Sequence, residues 1–169
     1  MRRLMLDALP KPAPHDMPVR IEIETPVDVA AVEALVLAAF GPGRFAKTAE
    51  RLRERAGVAA AFVAREDGQV VGSVRLWRIA VGETPAMFLG PIAVASDSRK
   101  AGLGADLVQA CVDQAALDGT GILLVGDMGY FERLGFAVAP KVRMPGPVDQ
   151  TRVLWRGEEE PVGLVRALL

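Results

Sequence analysis

Residues 19–24 read Val-Arg-Ile-Glu-Ile-Glu, the two-residue alternation of a half-buried strand. Thr25-Pro26-Val27-Asp28 then opens a helix: threonine can cap, proline suits the first turn, and aspartate favours the positive end of the helix dipole. Val29, Val32, Leu35, Val36 and Phe40 form the apolar stripe of that helix, and Gly41-Pro42-Gly43 stops it. A second helix is predicted over residues 46–56, where Arg51, Arg53, Glu54 and Arg55 read as a solvated face. Residues 58–65 and 69–79 are apolar runs separated by Glu66-Asp67-Gly68, the signal of a hairpin with a type I′ turn. A strand over residues 86–94, a helix over 104–117 ended by Gly119, and a short apolar strand over 122–125 follow. A short helix over 130–134 and strands over 136–139 and 151–156 complete the pattern. The order β-α-α-β-β-β-α-β-α-β-β predicts an α/β chain with a mixed sheet covered by helices on both faces.

Composition narrows the function. The chain has 169 residues, consistent with a single domain over residues 19–169 behind a Pro-rich lead-in over 1–18. Its formal net charge is -1, so it offers no strong field for nucleic acid or an anionic membrane. One cysteine, Cys111, excludes an intrachain disulfide, and with one histidine, His15 among prolines, neither a zinc site nor a His-based triad is expected. No apolar run reaches the ~18 residues that would span a bilayer, and Asp7 and Pro10 cut short any signal-peptide core, so a cytoplasmic location is expected. The mean hydropathy of +0.26 is high for a soluble monomer and predicts a homodimer that covers an apolar face.

The chemistry concentrates in one stretch. Leu89-Gly90-Pro91-Ile92-Ala93-Val94 forms a strand, residues 95–100 a loop, and Ala101-Gly102-Leu103-Gly104-Ala105 the start of a helix. The first N–H groups of any helix lack internal partners, and with the helix dipole they attract anions. Glycine there removes the side chain that would hold a phosphate off the backbone, and Arg99 and Lys100 add positive charge. The stretch fails the Gly-x-Gly-x-x-Gly dinucleotide pattern, because Leu107 stands at the third position, and it lacks the Gly-Lys-Ser/Thr of a P-loop. On these residues alone, a phosphate cradle and an unliganded Gly-rich turn are both open.

Arg99-Lys100-Ala101-Gly102-Leu103-Gly104 resembles the Arg/Gln-x-x-Gly-x-Gly/Ala signature of the GCN5-related N-acetyltransferase (GNAT) family. Leu124 to Phe136, reading Leu-Val-Gly-Asp-Met-Gly-Tyr-Phe-Glu-Arg-Leu-Gly-Phe, is similar to the second half of the family pattern in its YhbS-like branch. The resemblance covers about residues 19–157. It implies an acyl-CoA N-acyltransferase fold whose central twisted sheet splays between its fourth and fifth strands, near Val94 and Ile122. It implies acetyl-CoA as co-substrate, no metal, and direct attack of an acceptor amine on the thioester. The backbone of Arg99, Lys100, Ala101, Gly102, Leu103, Gly104 and Ala105 would hold the CoA diphosphate. Ile92, Ala93 and Val94 would pair with the pantetheine arm, and the Val94 N–H would steady the oxyanion. Tyr130 and Phe131 would complete the CoA site.

Phe131 stands where family members commonly carry a tyrosine, and the one tyrosine of the chain, Tyr130, is one place earlier. Tyr130 is accordingly the candidate general acid, with a packing tyrosine as its bland alternative. Glu83, Asp127 and Glu132 are candidate bases, Asp127 being equally suited to capping the next helix. Arg44 and Phe45 follow a flexible glycine pair suited to a lid, and Arg75, Trp77 and Arg78 are candidates for an acceptor pocket. Substitution at the usual acid position leaves a second expectation, a non-catalytic acyl-CoA sensor on the same fold.

Overall fold

The computed structural model describes residues 18–98 and 100–169; the 1–17 segment and Arg99 lie outside the described residues. Strand β1 (Arg20–Ile23) leads through a turn of 3-10 helix into α1 (Val29–Phe40). The expected cap takes a reciprocal form: the backbone N–H and hydroxyl of Thr25 both donate to the Asp28 carboxylate, at 2.8 and 3.0 Å. Arg65 donates to the other carboxylate oxygen at 2.7 Å, and the Thr25 and Arg65 bonds together hold Asp28 below the usual carboxylate range. α2 (Thr48–Glu54) is followed by β2 (Val58–Glu66) and β3 (Gln69–Val81), joined by the predicted hairpin with Asp67 and Gly68 both at positive φ.

β4 (Thr84–Leu89), β5 (Ala93–Val94), α3 (Leu103–Asp118) and β6 (Ile122–Val125) form the centre. α4 (Met128–Phe131), β7 (Ala137–Val138), β8 (Val142–Arg143), β9 (Val153–Arg156) and β10 (Gly163–Ala167) complete the chain. The main sheet order is β1-β2-β3-β4-β6-β9-β7, with β5 also on β3 and β10 joining β3 to β8. Sequence periodicity missed β8 and β10, short segments whose pairing, β10 to β3 and β8 to β10, is set by the tertiary fold.

The sheet is mixed, as expected: β4 and β6 run parallel and their neighbours antiparallel. On one face α3 packs Leu107, Val108 and Cys111 onto Val74, Leu76 and Leu124. Burial pushes the Cys111 thiol up to about 12, so it packs as an unreactive apolar group. On the other face Val32 and Val36 of α1 cover Val63 and Ala93, and Leu52 of α2 meets Ile79 and Phe88. Among the described residues no helix is long and apolar enough to cross a membrane.

The parallel pair separates almost at once. β4 and β6 are in register at Met87–Ile122 and Phe88–Leu123. Gly90, at φ +135, and Pro91, which has no N–H to donate, then break the strand. The Gly90 N–H donates to the Arg75 carbonyl at 2.9 Å, and its own carbonyl accepts from the Trp77 indole at 2.6 Å. β5 thus stays with β3, at Ser73–Ala93 and Gly72–Val94, while β6 continues along β9 to Val125–Val153. A gap opens between β5 and β6.

Candidate active site

The gap widens into a cleft of about 820 Å³. Leu89 to Ile92 line one wall, Leu124 to Asp127 the other, with Phe131 at the base and α2 and the Pro42–Ala46 turn across the mouth. Antiparallel pairing alternates in direction, so Ala93, set against Ser73, turns its backbone groups to β3. Ala95 does the same, donating to Val71 at 2.7 Å. Val94 between them, and Ile92 just before, therefore present their N–H and carbonyl groups to the gap. Of the three residues expected to pair with an extended ligand, these two turn their backbone groups away from β3, and Ile92 is the one that lines the cleft.

Beyond β5 the chain enters α3. Its N-cap is Gly102, at φ +75, a residue with no side chain to cap the helix. The first amides, at Leu103, Gly104 and Ala105, belong to the group that has no acceptor within a helix. A Cβ built on Gly102 would meet nothing within 4 Å, whereas one on Gly104 would stand 2.8 Å from the Tyr130 hydroxyl and 4.0 Å from the Val94 side chain. Tyr130, Gly104 and Val94 are thus brought together at the start of α3. Lys100 is also there, but its ammonium is 2.9 Å from Asp106 in the first helical turn, so part of the expected positive charge is neutralised. Burial, reinforced by Asp106 and opposed by Arg133, pushes the Tyr130 phenol above its ordinary value of 10.0. It is protonated at neutral pH and stands as a donor.

Phe131, not Tyr130, lines the cleft, packed edge-on against Phe136. Asp127 is also in the wall; its backbone carbonyl accepts from Tyr130 and Phe131 at 3.1 and 3.0 Å, and its side chain makes no capping bond. Glu83 lies in the turn between β3 and β4, at the opposite end of β4 from the cleft, and Glu132 is exposed. No group of three or more potential metal ligands occurs among the described residues.

A second cavity of about 520 Å³ lies under α1 and shares Arg44, Glu50, Arg53 and Pro91 with the cleft. Arg75 and Trp77 line it, as does Ser73, whereas Arg78 turns away and donates to the Val58 carbonyl. The α2 charge run divides, in a correction to the sequence reading. Arg51, Glu54 and Arg55 are exposed, but the side chains of Glu50 and Arg53 are each only 13% exposed and paired at 3.0 Å. Helical spacing carried the signal: Arg53 is four residues after Ala49, which packs against the core with Leu52.

Comparison with known proteins decides the family. The family model described as "Acetyltransferase (GNAT) family" matches residues 29–136. The chain belongs to the GNAT family. It is 31% identical over 134 residues to the uncharacterised N-acetyltransferase YhbS of Escherichia coli K12, covering 75% of this chain and 80% of that one. Among solved structures, E. coli YhbS in complex with CoA has a TM-score of 0.76 at 26% identity, over 89% of each chain. A GNAT acetyltransferase from Brucella melitensis in complex with acetyl-CoA has a TM-score of 0.62 at 28% identity, over 80% of this chain and 94% of that one. The mixed sheet with its covering helices is therefore that of a GNAT N-acetyltransferase.

Proposed function

We propose that this GNAT enzyme transfers an acyl group, acetyl in the first instance, from CoA directly to an amine. The observation that carries the reading is the continuity of one edge: the uncapped start of α3, then the gap-facing backbone of Val94 and Ile92, then the 820 Å³ cleft. The solved relatives with CoA and acetyl-CoA support it.

In this reading the amides of Leu103, Gly104 and Ala105 hold the diphosphate, with Ala101 and Gly102 shaping the loop and Lys100 adding charge; Arg99, expected to help, lies outside the described residues. Val94 pairs with the pantetheine arm. The arm's whole length separates diphosphate from thioester, so the thioester reaches Ile92, whose N–H steadies the oxyanion. Tyr130 and Val94 each carried two expected roles, and their position beside Gly104 favours the binding role for both. In the cleft the amine nitrogen attacks the carbonyl carbon, the carbon–sulfur bond breaks, and Asp127 takes the proton released by nitrogen. The thiolate leaves against Phe131 and takes a proton from solvent.

Removing the Tyr130 hydroxyl separates the roles. Tyr130→Phe is expected to raise KM for acetyl-CoA about tenfold, the worth of one hydrogen bond to a charged group, with kcat within about twofold. Steady-state kinetics check this; a kcat loss of about a hundredfold at unchanged KM would restore Tyr130 as general acid. Binding without turnover across a broad amine panel would favour the sensor reading instead.

A homodimer belongs to the same proposal, supported by Val29, Leu37 and Phe40, which are exposed on α1. Light scattering at tens of micromolar should then give about twice the chain mass of 18.0 kDa, and a monomeric mass would remove this part.

A further inference from the structure

The partition between the two cavities is built from Arg44, Arg53 and Glu50. Two guanidinium groups share one carboxylate: Arg53 Nη1 is 3.0 Å and Arg44 Nη1 3.6 Å from Glu50 Oε2. Each guanidinium is also seated on a ring, Arg44 at 4.5 Å over Phe45 and Arg53 at 5.4 Å over Phe88. The heads are therefore fixed in place, and the trio carries one positive charge in excess. The Nε atoms of both arginines are buried and have no hydrogen-bond partner among the described residues. The hydroxyl of Ser73, a residue 1% exposed that lines the smaller cavity, likewise has none.

Arg75 in the same cavity is different. Both its Nε and Nη2 donate to Glu24, so it is a satisfied wall. Glu33, the other charged residue lining the cavity, is exposed at its rim. Buried donors left unmatched are unfavourable unless something else accepts from them. Fixed guanidinium groups match a planar carboxylate, and 520 Å³ suits a small molecule.

We propose that the acceptor is a small amine that also bears a carboxylate, with the carboxylate held by Arg44 and Arg53 and the Ser73 hydroxyl touching the same molecule. This rests on the acyltransferase reading and adds the substrate class to it. Arg44 and Arg53 border the acyl cleft as well as the smaller cavity, so a carboxylate anchored there leaves its amine within reach of the thioester end at Ile92.

The experiment pairs amino acids with their carboxamides as acceptors, following CoA release from acetyl-CoA. It also titrates the N-acetyl amino acids and N-acetyl amides into CoA-saturated enzyme. Among the pairs, the preferred acid is expected to exceed its amide by about thirtyfold in kcat/KM or in product affinity, the worth of a charge-assisted hydrogen bond. That preference should fall to within about threefold in Arg44→Gln, and in Arg53→Lys, which keeps the charge but loses the fork. Amides that match or exceed their acids throughout the panel, with or without turnover, overturn the inference, as does a preference that survives both variants. Failure of acetyl-CoA itself to bind would strike the acyltransferase reading instead.

Discussion

Gly104→Glu is expected to lose CoA binding by about a thousandfold. The carboxylate would put an anion among the first amides of α3, where the diphosphate is proposed to sit, and about two charge-assisted hydrogen bonds would go, together worth about 4 kcal/mol. Steric exclusion acts in the same direction, since even a Cβ on Gly104 would stand 2.8 Å from the Tyr130 hydroxyl. The core residues of α3, Leu107, Val108 and Cys111, lie further along the helix and face the sheet, so folding should survive. Calorimetry with CoA and an unchanged circular dichroism spectrum would together check this. Affinity within a few-fold of the parent would count against the cradle.

Asp127→Asn is expected to lower kcat by about a hundredfold while leaving the calorimetric affinity for acetyl-CoA unchanged. Asp127 lines the cleft opposite Ile92 and makes no side-chain cap, so its carboxylate is available to an incoming amine. The amide cannot accept the proton at neutral pH, yet it keeps the shape of the wall. The backbone carbonyl that accepts from Tyr130 and Phe131 is untouched, so α4 should hold its position. If kcat is retained, the proton goes elsewhere and Asp127 is only part of the wall.

Much of this arrangement was legible in the residues. The alternation of 19–24, the stripe of α1 and the Asp67-Gly68 turn have short-range causes, and each appeared close to its predicted place. Gly102 and Gly104 announced the helix start for the same reason, the first as its N-cap and the second in its first turn. What stayed hidden depends on contacts distant in sequence. β10 exists because Val165 reaches Val81, and its own pattern is too short to declare a strand. Arg53 looked like surface because helices normally expose arginine; its burial follows from the cavity that α1 and β3 build around it. The register of β5 on β3 likewise selects Ile92 and Val94 over Ala93, a distinction no local pattern contains.

The central claim is that backbone amides at the head of α3 grip the CoA diphosphate, and amide resonances report on it directly. In ¹⁵N-labelled enzyme, CoA should shift the Leu103, Gly104 and Ala105 N–H signals strongly downfield, and pantetheine, which lacks the diphosphate, should leave them in place. Saturation by CoA with those three signals unmoved would contradict the account.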